Sequence, residues 1–418
     1  MDSFSIEFTN DLINSANMAI LPGLDRILAI LKLLDNPQNR CQVIHITGTN
    51  GKGSTAAFIE TGLIHAGFRV GKFTSPYIYS IHECICLNSQ PITTLDLENI
   101  YFRIKQLLIK HNLSLSSFEF LTAIMFEYFA AQTLDYLILE VGMGGATDAT
   151  NVVDSKFSII TNVALEHTKW LGNTITAITE QKAGIIKNGT TIIATNQPEV
   201  IKVVAAKTHN YINVLECYNP QIRLDNINFK TILKFTDPTL SSHRSHQYHL
   251  NLFGKFQAYN FLCAYQVFTA LKLPQASIIY AAENTSWAGR LQVIARNPLI
   301  ILDATHNPAG AQSIYESLNK LWAKDQVVII SSILSDKDIK PMLVNFSHLS
   351  DYIIYTTINN TPRGLAAHDL AQYGNGLFNH SKCADNPQDA LDFAKSMGRQ
   401  VILITGSLYL LSYFKNFG

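Results

Sequence analysis

A glycine-rich loop from Thr47 to Ser54 constrains this chain more than any other segment. It follows the apolar run Val43–Ile46, which is typical of a buried strand, and precedes Thr55–Glu60, which begins a helix pattern. Glycines let the backbone approach an anion closely, and a helix start offers free N–H groups and a positive dipole end. Lys52 and the hydroxyl of Ser54 add a cation for phosphates and a ligand for Mg²⁺. The pattern predicts a phosphate-binding loop; the alternative is a glycine turn without a ligand.

The spacing of this loop differs from the common G-x-x-x-x-G-K-[ST] pattern. Gly48 stands only three residues before Gly51, and Gly53 separates Lys52 from Ser54. The loop therefore keeps the glycines, the lysine and the hydroxyl of a phosphate loop, but at an unusual spacing.

The composition excludes several classes of protein. The chain has 418 residues, of which 47% are apolar and 15% charged, with 32 basic and 32 acidic side chains, so no overall positive charge attracts nucleic acid. Neither a signal-peptide pattern nor an apolar run of membrane-spanning length is found in the sequence. Six scattered cysteines fit a reducing compartment. We expect a cytoplasmic protein with no nucleic-acid or membrane partner.

Strand and helix patterns alternate through the first half of the chain. The predicted strands are 69–73, 136–141, 157–163 and 191–194, and the predicted helices include 97–110 and 118–131, the latter capped by Ser117. Residues 211–250 are predicted to be polar and irregular, with His243, His246 and His249 interpreted as part of a solvated loop rather than as metal ligands. Helices at 254–271 and 275–284 close this half.

A second series of strand and helix patterns begins at Leu299, with strands predicted at 299–302, 327–330, 352–355 and 401–404. The predicted fold class is α/β. Residues 1–292 form a P-loop NTPase-like, doubly wound, mainly parallel domain, 293–298 a linker, and 299–418 a smaller Rossmann-like domain. The predicted active site lies in the cleft between the two domains.

Other polar residues are predicted to follow the ends of strands. Glu140 ends a buried strand before a glycine-rich turn, where a carboxylate can hold nucleotide-bound Mg²⁺. His167 and Lys182 come after the next strand, and Asp303 precedes a predicted helix start in the second series. Each residue alone also fits a structural role. Glu140 could be a capping or surface acid, His167 a structural histidine and Lys182 a surface lysine, and the turn at Asp303 could start a helix without a ligand.

The order of motifs resembles the folylpolyglutamate synthase/dihydrofolate synthase family, within the Mur ligase group, nearly end to end. The motifs are Gly48–Ser54, Thr74–Pro76, Phe118–Glu119, Glu140–Gly145, Asp148–Val152, Leu165–Thr168, Lys182–Ile186, Gly289–Gln292, His306–Pro308 and Asp336–Asp338. The resemblance implies that ATP activates a pteroate or folate carboxylate as an acyl phosphate, which the amine of L-glutamate then attacks.

The resemblance also implies the roles of individual residues. Lys52, His167 and Lys182 would be catalytic; ATP would contact Gly48, Thr49, Asn50, Gly51, Lys52, Gly53, Ser54, Asn260, Arg290, Asp303 and His306; and substrate would contact Tyr77, Phe118 and Thr122. Ser54, Ser75 and Glu140 would hold one Mg²⁺, and His167 a second, with Lys182 as a carbamylated ligand. A free lysine has a pKa of roughly 10.4, so carbamylation requires an environment that favours the neutral amine.

Departures from the family pattern concentrate in substrate-facing loops. Tyr77 replaces a frequent histidine, and Cys84 replaces an arginine, which removes a cation that could bind a polyglutamate tail unless another, such as Lys72, Arg103 or Lys169, substitutes for it. We therefore expect a monomeric, Mg²⁺-dependent enzyme that adds L-glutamate to dihydropteroate, and also to reduced folates. The alternatives are an enzyme restricted to one of these acceptors, another Mur-type amino-acid ligase, and a noncatalytic paralogue that binds nucleotide or folate.

Overall fold

A mainly parallel sheet organises the first part of the chain. The computed structural model describes residues 23–238 and 245–417. The strands of this sheet are β1 (Gln42–Thr47), β2 (Val70–Phe73), β3 (Ile85–Leu87), β4 (Gln90–Pro91), β5 (Tyr136–Glu140), β6 (Ser155–Ile160), β7 (Thr190–Ile193) and β8 (Tyr211–Asn213). Their spatial order is β4-β3-β2-β5-β1-β6-β7-β8, and only the pairs that involve β3 and β4 are antiparallel. The short apolar runs form these strands because parallel strands are buried on both faces.

The helices of this part are α1 (Asp25–Leu33), α2 (Lys52–His65), α3 (Thr94–Lys110), α4 (Ser117–Ala130), α5 (Thr168–Leu171), α6 (Ile175–Lys182), α7 (Pro198–Lys207), α8 (Val214–Tyr218), α9 (Lys255–Ala270) and α10 (Gln275–Asn284). Short 3₁₀ turns lie at Pro37–Arg40, Ile81–Cys84 and Ala183–Ile185. The N-cap of α4 is Ser116 rather than the predicted Ser117, because the Ser116 hydroxyl accepts the Glu119 N–H while the Glu119 carboxylate accepts the Ser116 N–H.

The prediction of an irregular segment at 211–250 is wrong. Besides β8 and α8, it contains β9 (Gln221–Asp225), β10 (Lys230–Thr236) and β11 (Ser245–Leu250), which form an antiparallel sheet in the order β11-β10-β9. Apolar positions of β10 and β11 are buried, and Phe229 between β9 and β10 stacks on Phe253 with ring centroids 4.0 Å apart. His246 and His249 lie on β11, whereas His243 lies outside the described residues.

The last part of the chain forms a separate sheet. Its strands are β12 (Gln292–Arg296), β13 (Leu299–Leu302), β14 (Val327–Ser331), β15 (Tyr352–Thr356), β16 (His380–Ala384) and β17 (Val401–Thr405), in the order β12-β13-β17-β14-β15-β16. Its helices are α11 (Pro308–Leu318), α12 (Ile339–Ser347), α13 (Ala367–Tyr373), α14 (Pro387–Ser396) and α15 (Leu408–Leu411), with 3₁₀ turns at Lys324–Gln326 and Ser412–Phe417. All strand pairs except β12·β13 are parallel.

Two compact units emerge from the contacts between described residues. The first comprises 23–219, 237–238 and 259–281, and the second comprises 220–236, 245–258 and 282–417. The segment 293–298, expected as a linker, holds most of β12 and the turn into β13, because β12 folds back to pair antiparallel with β13. The α/β class and the two mostly parallel sheets agree with the sequence prediction. No helix between 23 and 238 or between 245 and 417 is long and apolar enough to cross a membrane.

Candidate active site

The glycine-rich loop joins β1 to α2, as predicted. Gly51 is the N-cap residue of α2 and has a φ of +87°, a conformation that favours glycine, so Lys52 and Ser54 stand in the first turn. A Cβ atom on Gly51 would lie 2.3 Å from Oδ1 of Asn260, because α9 brings that side chain against the loop. The geometry thus places Asn260 beside the predicted phosphate site.

The segment after β6 fixes the shape of this loop. The Thr161 hydroxyl donates to the Asn50 carbonyl at 2.6 Å, and the Asn50 N–H donates to Oδ1 of Asn162 at 2.9 Å. The Thr49 hydroxyl accepts the Ala164 N–H at 3.0 Å. The loop is therefore held from outside before any ligand binds.

Lys52 turns back over the loop that carries it. Its ammonium group donates to the Gly48 carbonyl at 3.0 Å and to the Thr49 carbonyl at 3.2 Å. Both acceptors are neutral, so an anionic phosphate would be a stronger partner for the same ammonium group. The lysine is thus positioned at the helix start where a phosphate would be favoured.

Oxygen groups suited to Mg²⁺ stand near the ends of β2 and β5. Glu140, the last residue of β5, is buried, and Oε2 of its carboxylate accepts the Ser75 N–H at 3.3 Å. Ser54 is also buried. Carboxylate and hydroxyl oxygens are hard ligands, and Mg²⁺ on a nucleotide keeps several waters and phosphate oxygens as its other ligands. This explains how the site fits Mg²⁺ although the described residues contain no cluster of three or more His, Cys, Asp or Glu that could hold a metal.

Lys182 ends α6 with only 4% of its surface exposed. Burial, together with the positive charge of Lys52, lowers the pKa of its amine to about 7, while the negative charges of Glu166 and Asp148 oppose this shift. These interactions show that Lys182, Lys52 and the two acids share one electrostatic environment.

His167 occupies the N-cap position of α5 with a φ of +51°, an uncommon conformation for a residue with a Cβ atom. Its Nε2 atom lies 4.0 Å from Oε1 of Glu166, and its side chain is 41% exposed. A partly exposed imidazole beside a carboxylate remains accessible to an incoming metal ion.

The residues expected to contact substrate have different environments. The Phe118 ring packs on Gly142, where a Cβ atom would lie 2.6 Å from its Cζ atom, and Tyr77 is 44% exposed. Thr122 is fully buried, and its hydroxyl donates to the Phe118 carbonyl at 2.7 Å. The suggestion that Lys72 could bind a polyglutamate tail is wrong, because Lys72 is buried in an ion pair with Glu60.

The second unit carries its own group of predicted nucleotide residues. Asp303 is buried, and its carboxylate accepts the Leu291 and Thr305 N–H groups, each at 2.9 Å. Burial raises the pKa of Asp303, while the positive charge of Arg290 opposes that shift. His306 Nδ1 donates to the Ala304 carbonyl at 3.0 Å. Arg290 lies in the turn before β12, and Asp303 and His306 follow the end of β13, so the three residues are close together in the second unit.

Sequence reasoning missed Thr161 and Asn162, which hold the phosphate loop, and it gave no role to Asp148, which organises the turn after Glu140. The available signal was the polar pair Thr161-Asn162 at the end of the predicted strand 157–163. It could be interpreted only once β6 was known to pair with β1.

Comparisons with known proteins agree with this arrangement. A family model described as Mur ligase middle domain matches residues 46–268, and one described as Mur ligase, glutamate ligase domain matches 289–408. The chain is 33% identical to folylpolyglutamate synthase of Lacticaseibacillus casei over 405 residues, covering 93% of this chain and 92% of that protein.

Solved structures show the same similarity. E. coli FolC in complex with DHPP and ADP matches with a TM-score of 0.88 and 26% identity, covering 99% of this chain and 97% of that chain. A bifunctional folylpolyglutamate synthase/dihydrofolate synthase from Yersinia pestis, complexed with AMPPNP and Mn ion, matches with a TM-score of 0.86 and 26% identity over the same shares. The chain therefore belongs to the folylpolyglutamate synthase/dihydrofolate synthase family of ATP-dependent Mur-type ligases.

Proposed function

We propose that the enzyme uses ATP and Mg²⁺ to join L-glutamate to dihydropteroate and also to reduced folates. The observation that carries this proposal is the shared electrostatic environment of Lys52, in the phosphate loop, and the buried Lys182. The Yersinia pestis relative, whose name includes both activities, supports both acceptors.

The chemistry requires a carboxylate to become a good acylating agent. The acceptor carboxylate attacks the γ-phosphorus of ATP, ADP leaves, and an acyl phosphate forms. The amine of L-glutamate then attacks the acyl carbon, the tetrahedral intermediate expels phosphate, and the amine proton is released. Lys52 would balance the charge on the transferring phosphoryl group from its position in the first turn of α2.

We assign the other predicted residues by the same reasoning. Ser54, Ser75 and Glu140 would hold one Mg²⁺, and His167 with Lys182 a second; bound Mg²⁺ would neutralise charge on the phosphates. Asn260, Arg290, Asp303 and His306 would bind ATP together with the loop, and Tyr77, Phe118 and Thr122 would lie at the acceptor site. Because its hydroxyl bonds within its own helix, Thr122 would contribute through packing.

We further propose that Lys182 reacts with CO₂ to form a carbamate and a proton. Burial supports this step because a pKa of about 7 leaves a large fraction of the amine neutral and nucleophilic near neutral pH. The product would be an anionic oxygen ligand. Native mass spectrometry should show the CO₂ increment in the wild-type enzyme but not in Lys182→Ala, which should be inactive. A missing increment or full activity of the variant contradicts the proposal.

Phosphate release tests the proposed reaction. With ATP, Mg²⁺ and L-glutamate, we expect release with dihydropteroate and tetrahydrofolate but not with a UDP-muramyl acceptor. Release with only one folate acceptor would show a monofunctional enzyme, and release with the UDP-muramyl acceptor would show another Mur-type ligase. Nucleotide binding without release from any acceptor would identify a noncatalytic paralogue.

We also propose that the enzyme acts in the cytoplasm as a monomer. All six cysteines are free, which suits a reducing compartment. The monomeric state rests on the family resemblance, and light scattering coupled to size-exclusion chromatography tests it.

A further inference from the structure

A buried chain of polar side chains connects the central strand β1 to the loop after β5. His45 and Thr150 are fully buried, and Asp148 is almost so. His45 Nε2 lies 2.9 Å from the Thr150 hydroxyl, which donates to Oδ1 of Asp148 at 2.5 Å. Each hydrogen bond in such a chain is electrostatically stronger than in water, because the dielectric constant of the protein core is low.

The directions of these hydrogen bonds follow from their partners. Asp148 also accepts the Thr150 N–H at 3.0 Å and the Met143 N–H at 2.9 Å. Burial raises the pKa of this carboxyl group, but these hydrogen bonds oppose that shift, and both oxygens act as acceptors, which suits an ionised carboxylate. The Thr150 hydroxyl donates its only proton in the hydrogen bond to Asp148, so it must accept the hydrogen bond from His45 Nε2. His45 Nδ1 is buried with no partner, which also favours a bare nitrogen there over an unpaired N–H group. His45 is thereby fixed as the neutral Nε2–H tautomer.

This chain holds a loop that packs against Lys182. Asp148 anchors the Met143 N–H, and the Thr47 hydroxyl, two residues after His45 on β1, donates to the Gly144 carbonyl at 2.6 Å. A Cβ atom on Gly145 would lie 2.8 Å from the Lys182 carbonyl, so the loop and the end of α6 touch closely. Displacement of the loop would therefore displace Lys182.

We propose that His45 and Thr150 are positioning residues, which act through Asp148 to set the place of the loop after Glu140 and so of Lys182. This inference rests on the proposed function. In this scheme neither residue would contact ATP directly. Their loss should therefore slow the chemical step more than it weakens ATP binding.

Thr150→Val removes the hydroxyl at nearly constant volume, whereas Thr150→Ser keeps it. We expect Thr150→Val to lower kcat on the order of 10- to 100-fold, as small misplacements of reacting groups do, with little change in KM for ATP. Thr150→Ser should restore most of kcat. Thr191→Val is the matched control, because Thr191 is equally buried and its hydroxyl has no partner. A kcat for Thr150→Val equal to that of Thr191→Val overturns the proposal.

A tautomer measurement tests the chain independently of activity. In ¹⁵N-histidine-labelled enzyme, assigned by difference with His45→Gln, His45 should show a protonated Nε2 and a bare Nδ1 at neutral pH. A protonated Nδ1 would overturn the proposal. If the wild type shows the expected tautomer but no glutamate ligation, the proposed function fails and the hydrogen-bond chain stands.

Discussion

Burial changes the chemistry of two basic side chains of the first unit in different ways. Complete burial lowers the pKa of His45 to about 3, helped by the positive charge of Lys187, so the imidazole is neutral at physiological pH. Burial lowers the pKa of Lys182 to about 7, which is close to physiological pH, so its amine is partly protonated there. The sequence pattern identified Lys182 through the resemblance, but neither pKa was predictable, because both depend on neighbours that are distant along the chain.

The pKa of His45 predicts a loss of stability in acid. The unfolded chain binds a proton at this residue below about pH 6.5, whereas the folded chain does not until about pH 3, so stability rises with pH across this window and falls as pH drops. On acidification from pH 7 to pH 5, His45 alone should lower the free energy of unfolding by about 2 kcal/mol. Urea unfolding of the wild type and of His45→Gln measures this difference.

The variant should lose less stability than the wild type on that acidification. His111→Gln, which changes an exposed histidine, serves as the control and should behave like the wild type. Equal acid sensitivity of all three proteins would mean that His45 accepts a proton in the folded state as readily as in the unfolded one.

Strands that are neighbours in space but distant in sequence shape the phosphate loop. The loop, its preceding strand and its following helix were predicted correctly, because their periodicity and glycine spacing are local features. The contacts from Thr161 and Asn162 were not predictable, since they depend on the pairing of β1 with β6. The β9–β11 sheet was missed for a related reason: its short strands are defined by their antiparallel pairing.

Removing the Thr161 hydroxyl should loosen the loop without unfolding the sheet. Thr161→Val removes the 2.6 Å hydrogen bond to the carbonyl of the half-buried Asn50, and the loss of such a hydrogen bond costs about 0.5–1.5 kcal/mol. We expect KM for ATP to rise several-fold, with a smaller fall in kcat, because the loop must be reordered when ATP binds. Initial rates over a range of ATP concentrations measure both constants.

Thr231→Val provides a matched control in the second unit. The Thr231 hydroxyl is equally buried and hydrogen-bonds the backbone of Leu252 and Gly254, so its loss should destabilise the protein by a similar amount. KM for ATP should stay at the wild-type value in this control. A similar rise in both variants would show that the effect reflects general destabilisation.

At the scale of the whole molecule, the predicted metal ligands and the phosphate loop all belong to the first unit, while Arg290, Asp303 and His306 belong to the second. Each group is organised by hydrogen bonds within its own unit. The family was predictable from the order of motifs along the chain, since that order survives where single motifs vary. The acceptor was not, because Tyr77 and Cys84 depart from the pattern, and Cys84 proves to be buried in the core.

Binding of Mg²⁺ and ATP should stabilise the folded chain measurably. A ligand at a free concentration of one hundred times its Kd raises the free energy of unfolding by about 2.7 kcal/mol when it binds only the folded state. The midpoint temperature of thermal unfolding should therefore rise. EDTA should remove most of this shift by leaving the phosphate charges unneutralised, and Lys52→Ala should reduce it by removing the loop cation. Lys32→Ala, a change at an exposed lysine of α1, should keep the full shift in differential scanning fluorimetry. A shift that survives both EDTA and Lys52→Ala would place ATP binding elsewhere than at this loop.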